Sequence, residues 1–171
     1  MRNMDSKNIV SIGMTLEKLK DLFKEDSICL GKEEDKVVIL RAQNISGLDG
    51  KWYYRFNLDK KLDFIHFDKY YSDPPFPFIK SNFDRCLKGT KELIESYSIL
   101  FGKPNSLIIN DTLFDTEGRA QGYKIMKCVW SDVNGMSIKI EFISNGGWNP
   151  WGGFYYLVHV DQVPKSSNYF F

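Results

Sequence analysis

Two histidines stand in similar surroundings, each followed two positions later by an aspartate. His66 lies in FIHFD with Asp68, and His159 lies in LVHVD with Asp161. An imidazole beside a carboxylate can act as a general base or bind a metal, and the two runs read as strands that could meet across a sheet. The sequence contains no G-x-S-x-G nucleophile elbow. We therefore expect partly exposed strand histidines and no catalytic residues.

The remaining candidate metal ligands lack the spacing that metal sites require. The acidic run NDTLFDTEGR (110–119) does not fit the calcium-loop pattern, which favours a solvated turn. The three cysteines, Cys29, Cys86 and Cys128, lie far apart and form no C-x-x-C pair. This spacing favours reduced core residues over a zinc site, and at most one disulfide could form. We predict no metal and no cofactor.

Aromatic side chains in a glycine-rich run are the clearest candidates for binding. The run NGGWNPWGGFYY (145–156) places Trp148 and Trp151 between glycines and just before Tyr155. Exposed indoles in such a loop could anchor a protein partner, or stack on a sugar or another flat ligand. They could also fold back over the sheet edge and cover Tyr155 or Trp130, because large aromatic side chains are usually mostly buried.

Composition and charge narrow the class of protein. The chain has 171 residues, of which 43% are hydrophobic and 15% aromatic, so it is long enough to form one domain with a substantial core. Its 23 basic and 22 acidic side chains are scattered along the sequence, which argues against nucleic-acid binding. No apolar run approaches the ~18 residues of a membrane-spanning helix. The sequence as given starts without an apolar leader, which favours the cytosol, and an envelope or periplasmic location would need a signal peptide.

Hydrophobic periodicity predicts two helices and several strands. Leu16, Leu19, Leu22 and Phe23 share one helical face, and Thr15 is the predicted N-cap. A longer helix is predicted over 81–104, with Phe83, Leu87, Ile94, Tyr97 and Phe101 on one face and Gly102 at its end. Strands are predicted over 37–43, 51–58, 62–71, 123–130, 136–143 and 154–160.

Two of these strands show a clear alternation. KWYYRFNL (51–58) places Trp52, Tyr54, Phe56 and Leu58 on one face and Lys51, Tyr53, Arg55 and Asn57 on the other. MSIKIEFI (136–143) has an apolar face of Met136, Ile138, Ile140 and Phe142 and a solvated face of Ser137, Lys139 and Glu141. The turn Asp132-Val133-Asn134-Gly135 is predicted to join it to strand 123–130 in a hairpin.

The order of these elements predicts the fold class. A helix followed by a β-meander occurs twice, without a parallel β-α-β rhythm, so we expect an α+β fold with helices on one side of an antiparallel sheet. The chain reads as a single domain, 1–171. It divides into helix-meander units at 11–71 and 81–161, and the proline-rich segment 72–80 joins the two units.

The entry into the first helix resembles a known family. Gly13-Met14-Thr15 followed by an amphipathic helix is similar to the start of the β-lactamase-inhibitor-protein-like superfamily, which includes small outer-membrane assembly lipoproteins. The order of helices and strands extends this resemblance along the chain. The resemblance implies a helical hairpin packed on an antiparallel sheet, often in a doubled unit. It also implies protein–protein binding at or outside the cell envelope rather than catalysis.

These observations lead to one preferred function and two alternatives. We expect a non-catalytic module that binds another protein through loop and sheet-face side chains, with Trp148, Trp151, Tyr155, Tyr53 and Arg55 as the binding residues. The first alternative is a small-ligand or glycan-binding module that stacks its ligand on Trp148 and Trp151. The least favoured alternative is an enzyme that uses His66 or His159 together with scattered carboxylates.

Overall fold

The computed structural model describes residues 10–23, 29–33, 36–45, 48–73, 80–110, 123–145 and 154–166. Within these residues a helix and four strands are followed by a second helix and four more strands. The helices are α1 (Leu16–Phe23) and α2 (Lys80–Phe101). The strands are β1 (Cys29–Glu33), β2 (Lys36–Ile45), β3 (Leu48–Phe56), β4 (Leu62–Asp73), β5 (Ser106–Ile109), β6 (Tyr123–Val133), β7 (Met136–Asn145) and β8 (Phe154–Pro164).

All eight strands join one antiparallel sheet in the order β1-β2-β3-β4-β8-β7-β6-β5. Each group of four strands forms a meander, and the last strands of the two groups, β4 and β8, pair at the centre of the sheet. The α+β fold with an antiparallel sheet is therefore confirmed. The proposed connector falls mainly on residues 74–79, which lie outside the described residues, and the division into two units stays a prediction.

Strand alternation gives the sheet one strongly apolar face. Successive side chains in a strand point to opposite faces, so laterally paired residues form rows across the sheet. One such row is completely apolar, is buried, and spans five strands. It consists of Trp52, Phe67, Val160, Ile140 and Cys128. Both described helices pack on this face, which confirms that the helices lie on one side of the sheet.

The entry into α1 is held by its own backbone and by β4. The amide of Lys18 donates to Oγ1 of Thr15 at 3.3 Å, which confirms the predicted N-cap. Gly13 has a φ of +86°, a conformation that favours glycine, and its amide donates to the carbonyl of Leu62 at 2.7 Å. The amide of Leu62 in turn donates to the carbonyl of Met14 at 2.8 Å. These bonds fix the start of α1 against the start of β4.

The long helix α2 packs closely on the sheet because of a glycine at its middle. A Cβ atom at Gly89 would lie 2.6 Å from Cγ of Leu48, so only glycine allows the observed approach of α2 to β3. Gln162 on β8 donates through Nε2 to the hydroxyl of Tyr97 at 2.9 Å, which adds a polar contact within this packed layer. Burial raises the pKa of Tyr97 above its ordinary value, although the bond from Gln162 opposes this effect. Neither described helix has the length and apolar character needed to cross a membrane.

The predicted apolar face of α2 was correct but incomplete. Phe83, Ile94 and Tyr97 are buried, and Leu87 and Phe101 pack against the core as expected. The helix also buries Cys86 and Leu93, so its apolar stripe is wider than the predicted one. It ends at Phe101, earlier than the predicted limit of 104, and the predicted stop residue Gly102 follows directly. Gly102 has a φ of +80°, and its amide donates to the carbonyl of Ser98.

The predicted hairpin between β6 and β7 is confirmed, and its turn is shorter than expected. Only Asn134 and Gly135 lie between the paired residues Val133 and Met136, and their φ angles are +54° and +77°. Two consecutive positive φ angles are the signature of a type I′ turn, for which Asn-Gly is a preferred sequence. The turn is therefore two residues shorter than the predicted segment 132–135.

The structure corrects the expectations for two residues and adds two strands that the sequence did not predict. Leu58 was expected to continue the strand on the same face as Trp52. It is instead 78% exposed, because β3 ends at Phe56 and Leu58 lies in the following turn. Glu141, expected on a solvated face, is only 3% exposed. The strands β1 and β5 were not expected at all, because neither short sequence alternates clearly between apolar and polar residues.

Candidate functional site

The sheet face opposite the two described helices carries polar side chains at its centre. They form two rows, one on each side of the buried row that contains Phe67 and Val160. In spatial order from β3 to β6, the first row is Lys51, Asp68, His159, Glu141 and Lys127. In the same order from β3 to β7, the second row is Tyr53, His66, Asp161 and Lys139. We refer to these residues as the polar rows.

The pairing of β4 with β8 brings His66 onto Asp161. Nδ1 of His66 lies 2.6 Å from Oδ1 of Asp161, and their side chains are 31% and 18% exposed. An ionised carboxylate can only accept hydrogen bonds, so Nδ1 of His66 carries a proton and donates. His66 therefore bonds to the aspartate of the neighbouring strand rather than to Asp68 on its own strand.

The second histidine is bound in the same manner by a different strand. Nε2 of His159 donates to Oε2 of Glu141 at 2.9 Å and lies 3.7 Å from Oδ2 of Asp161. The ring centroids of His66 and His159 are 6.1 Å apart. The two histidines therefore do meet across the sheet, as the sequence suggested, and Asp161 lies next to both rings.

Lys139 joins the two carboxylates. Its Nζ lies 3.2 Å from Oε2 of Glu141 and 3.4 Å from Oδ2 of Asp161. The side chains of Lys139 and Glu141 are 18% and 4% exposed, so solvent reaches little of either charged group. The result is a connected network of two imidazoles, two carboxylates and one ammonium group, drawn from β4, β7 and β8.

The network changes the acidity of its central carboxyl group. Burial by itself would raise the pKa of Asp161, because desolvation disfavours the charged form. The hydrogen bond from His66 and the charges of His159, His66 and Lys139 act in the opposite direction. The pKa of Asp161 is lowered from its usual value of 3.8, which means that these partners outweigh the cost of burial.

An aromatic and cationic group borders the network on the β3 side. Nε of Arg55 donates to Oδ1 of Asp63 at 3.1 Å, and its guanidinium carbon lies 5.1 Å from the ring centroid of Phe64. Phe64 stacks on the ring of His66, with 5.9 Å between centroids and 8° between planes. The rings of Tyr53 and Phe64 form a T-shaped contact, with 6.0 Å between centroids and 70° between planes. Phe64 therefore links the network to Arg55 and Tyr53, because its ring contacts both of these side chains as well as His66.

No family model, curated protein or solved structure matches this chain. The resemblance carried by Gly13-Met14-Thr15 therefore stays a prediction, and the function has to be inferred from the polar rows and their border.

The structure locates some of the predicted binding residues and leaves others undescribed. Tyr53 and Arg55 lie together on the face that the described helices leave uncovered. Trp148 and Trp151 lie outside the described residues. Tyr155 belongs to β8, where its backbone pairs with Ser72 and Asn145, but its side chain is outside the described part. The run 110–119 is also outside it, apart from Asn110.

Sequence reasoning missed two members of the network. Lys139 and Glu141 were assigned to a solvated strand face, where alternating charges need no special partner. Both residues were visible in the pattern MSIKIEFI, but the pattern contains no information about the strand that lies beside it. The pairing of β7 with β8 places Lys139 opposite Asp161 and Glu141 opposite His159. Pairing between strands supplied the missing information.

The chemical possibilities of the site follow from its contacts. Within the described residues, no group of three or more His, Cys, Asp or Glu side chains is arranged to hold a metal ion. The ammonium group of Lys139 lies against both network carboxylates, where it would repel a cation. The thiols of Cys86 and Cys128 are buried in the core, on the helix-covered side of the sheet. Burial raises the pKa of Cys128 to about 11, although a backbone hydrogen bond acts in the opposite direction. A thiol with such a raised pKa carries little thiolate and is therefore unreactive.

Proposed function

We propose that this protein is a non-catalytic module that binds another protein through the sheet face opposite its two helices. The observation that carries this proposal is the position of the polar rows and their aromatic border on that face. The helices take up the apolar face, so an approaching partner meets charged and aromatic groups that the sheet already holds in place.

The proposal is supported first by the preorganisation of this surface. Binding costs less when the contacting side chains are already ordered, because less rotamer entropy is lost on association. Arg55 is held by Asp63 and by the ring of Phe64, and Tyr53 is in contact with the same ring. Arginine and tyrosine are among the residues most often found to dominate binding energy at protein interfaces. Arg55 and Tyr53 are therefore our proposed anchor residues.

The absence of catalysis is also part of the proposal. His66 and His159 each donate to a carboxylate, which resembles the orientation of a catalytic base, but catalysis of group transfer also requires a nucleophile or an activated water. Both described thiols lie in the core, on the opposite side of the sheet. We propose that the imidazole–carboxylate pairs set the charge and the rigidity of the face rather than carry out a reaction.

The experiment that tests this function is affinity capture from a lysate of the source organism, followed by mass spectrometry. A Tyr53→Ala/Arg55→Ala variant is compared with the wild type. A Lys88→Ala/Glu92→Ala variant is the matched control, because Lys88 and Glu92 are exposed residues of α2 on the other side of the sheet. Urea unfolding establishes that each variant is folded. We expect a partner that the wild type and the control capture and that the Tyr53→Ala/Arg55→Ala variant loses.

Two other outcomes would redirect the assignment. A partner retained by the Tyr53→Ala/Arg55→Ala variant and lost by a folded Trp148→Ala/Trp151→Ala variant would move the binding site to the glycine-rich run. Saturable turnover of a substrate by the pure protein, abolished by His66→Gln or His159→Gln, would replace the binding module with an enzyme.

A further inference from the structure

The strand β5 forms one edge of the sheet and is mostly apolar. All four of its residues are exposed, and Leu107, Ile108 and Ile109 are 48%, 47% and 44% exposed. The strand pairs with β6 on one side, and no described strand pairs with its other side. Such an edge presents unpaired backbone groups and apolar side chains to solvent, which favours pairing with another chain.

The two edges of the sheet differ in charge. The strand at the other edge, β1, contains Lys32 and Glu33 within five residues, whereas β5 contains no charged residue. Charged side chains, and lysine above all, commonly protect an edge strand from pairing with other chains. Because β5 lacks this protection, it is the edge at which another strand can add to the sheet.

The strand β5 is bonded to β6 at both of its ends. The amide of Asn105 donates to the carbonyl of Val129 at 2.8 Å, and Oδ1 of Asn105 accepts from the amide of Ser131 at 2.7 Å. At the other end, the amide of Asn110 donates to the carbonyl of Ile125 at 2.7 Å. The open edge of β5 is therefore already ordered, and pairing with it costs little conformational entropy.

The same contacts show which backbone groups of β5 point outward. Along an antiparallel ladder, residues that bond to the neighbouring strand alternate with residues whose N–H and C=O point away from it. Asn110 bonds to β6, so Ile108, two positions earlier, bonds to β6 as well. Leu107 and Ile109 therefore direct their backbone N–H and C=O groups to the open edge, where an added strand can bond to them.

We propose that β5 pairs with β5 of a second copy of this chain, antiparallel across a two-fold axis, so that the dimer has one continuous sheet. In this register Ile108 lies at the axis, opposite the partner's Ile108. Leu107 lies opposite the partner's Ile109, and the two residues exchange both backbone hydrogen bonds. The arrangement uses the same strand of each copy, which is the property of a self-complementary two-fold interface.

The side chains of β5 favour a second copy as the occupant of this edge. Residues opposite each other in a ladder point to the same face, so Ile108 would pack on its own copy and Leu107 on the partner's Ile109. None of these side chains is charged, so no like charges lie directly opposite each other.

The nearby lysine on β6 does not oppose this pairing. Lys127 lies opposite Ile108 on β6. In the dimer the two copies of Lys127 would be separated by three strand spacings, about 14 Å, which exceeds the Debye length at physiological ionic strength. Solvent ions therefore screen most of their repulsion.

This inference goes beyond the proposed function and does not depend on it. Tyr53 and Arg55 belong to β3, and the strands β4, β8, β7 and β6 lie between β3 and β5. A two-fold axis that relates antiparallel strands of one sheet runs perpendicular to the sheet, so the polar rows of both copies would lie on the same side. Capture of a partner through Tyr53 and Arg55 can thus succeed or fail whether or not the chain forms this dimer.

Sedimentation equilibrium over a range of protein concentrations tests the dimer. We expect the wild type to dimerise and Ile108→Lys to raise the dissociation constant by at least about tenfold, because it removes two apolar side chains and places two like charges at the axis. Ile99→Lys is the matched control, because Ile99 is 76% exposed on α2, and it should leave the dissociation constant unchanged. A wild type that stays monomeric at millimolar concentration would overturn the inference.

A proline variant and amide exchange keep the test decisive if urea unfolding shows that Ile108→Lys does not fold. Ile109→Pro removes an outward-pointing N–H but no bond to β6, so it should also weaken the dimer. In the wild type, NMR-detected hydrogen exchange at the amides of Leu107 and Ile109 should slow as protein concentration rises, whereas the amides of β1 should not change. Dimerisation without protection of these two amides would show that the copies meet elsewhere, and the inference would fail.

Discussion

Phe142 and Glu141 are neighbours on β7 and are both almost fully buried, but different forces hold them. Phe142 points to the helix-covered face, where its ring lies 5.4 Å from that of Phe83 on α2. Glu141 points to the other face, where it pairs with His159 and Lys139. At the centre of the sheet, side chains on the helix-covered face are therefore held by apolar packing, whereas those on the opposite face are held by charge pairing. Only the second should respond to pH.

The largest effect is expected on the helix-covered face. Replacing Phe142 with alanine removes a fully buried ring and leaves a cavity, so the free energy of unfolding should fall by about 3–5 kcal/mol. Urea unfolding at neutral pH measures this change. Leu58→Ala is the control, because Leu58 is 78% exposed and its truncation should have little effect. Equal effects of the two substitutions would contradict the view that the helices cover a close-packed core.

A smaller effect is expected from the neighbouring residue on the polar face. Glu141→Gln keeps the shape of the side chain but removes the charge that pairs with His159 and Lys139. We therefore expect the free energy of unfolding to fall by about 1–3 kcal/mol. The same unfolding experiment measures it. Glu92→Gln is the matched control, because Glu92 forms an exposed pair with Lys88 on α2 at 3.9 Å. A loss no larger than that of the control would mean that the buried pairing adds no stability.

The polar face should also give the protein a stability that depends on pH. The pKa of Asp161 is lower in the folded protein than its usual 3.8, so the unfolded chain takes up the proton first as pH falls. Ionised Asp161 therefore stabilises the fold above about pH 4, and this contribution is lost as pH falls through the lowered pKa.

Urea unfolding between pH 5 and pH 2 tests this expectation. Asp161→Asn should lose less stability over this range than the wild type, whereas Lys88→Gln should follow the wild-type curve. Parallel curves for Asp161→Asn and the wild type would show that the contacts of Asp161 with His66 and Lys139 do not stabilise its charged form.

The smallest effect is expected for an ion pair outside the network. Lys165 bonds to Asp132, and their side chains are 60% and 53% exposed. The hydrogen bond from Lys165 lowers the pKa of Asp132, but solvent screens such a pair strongly. Lys165→Ala should leave the urea midpoint unchanged within error. A loss as large as that of Glu141→Gln would remove the distinction between exposed and buried pairs.

Local signals in the sequence predicted much of the fold. Thr15 capped α1 as expected, and Gly102 followed the end of α2. Both predictions succeeded because capping and positive φ angles depend on a few consecutive residues. The strands β1 and β5 escaped prediction because each is short, lacks alternation and is held in place by pairing with a longer neighbour, β2 or β6.

The candidate site could be predicted only in part. The alternation in KWYYRFNL placed Tyr53 and Arg55 on one strand face, and the structure keeps them there beside Phe64. The sequence also suggested that His66 and His159 could meet. It offered no means of choosing their partners, because Asp68 and Asp161 stand at the same spacing from the two histidines.

By itself, the sequence determined the alternation along the longer strands, the N-cap of α1 at Thr15, the stop of α2 at Gly102, and that both histidines would lie in strands. Those properties depend on the period of the chain and on the conformations of neighbouring residues. Only the tertiary structure decided that β4 would pair with β8, so that His66 meets Asp161 and His159 meets Glu141. Pairing between strands far apart in the chain depends on how the whole sheet packs under its helices, and a local pattern does not contain that information.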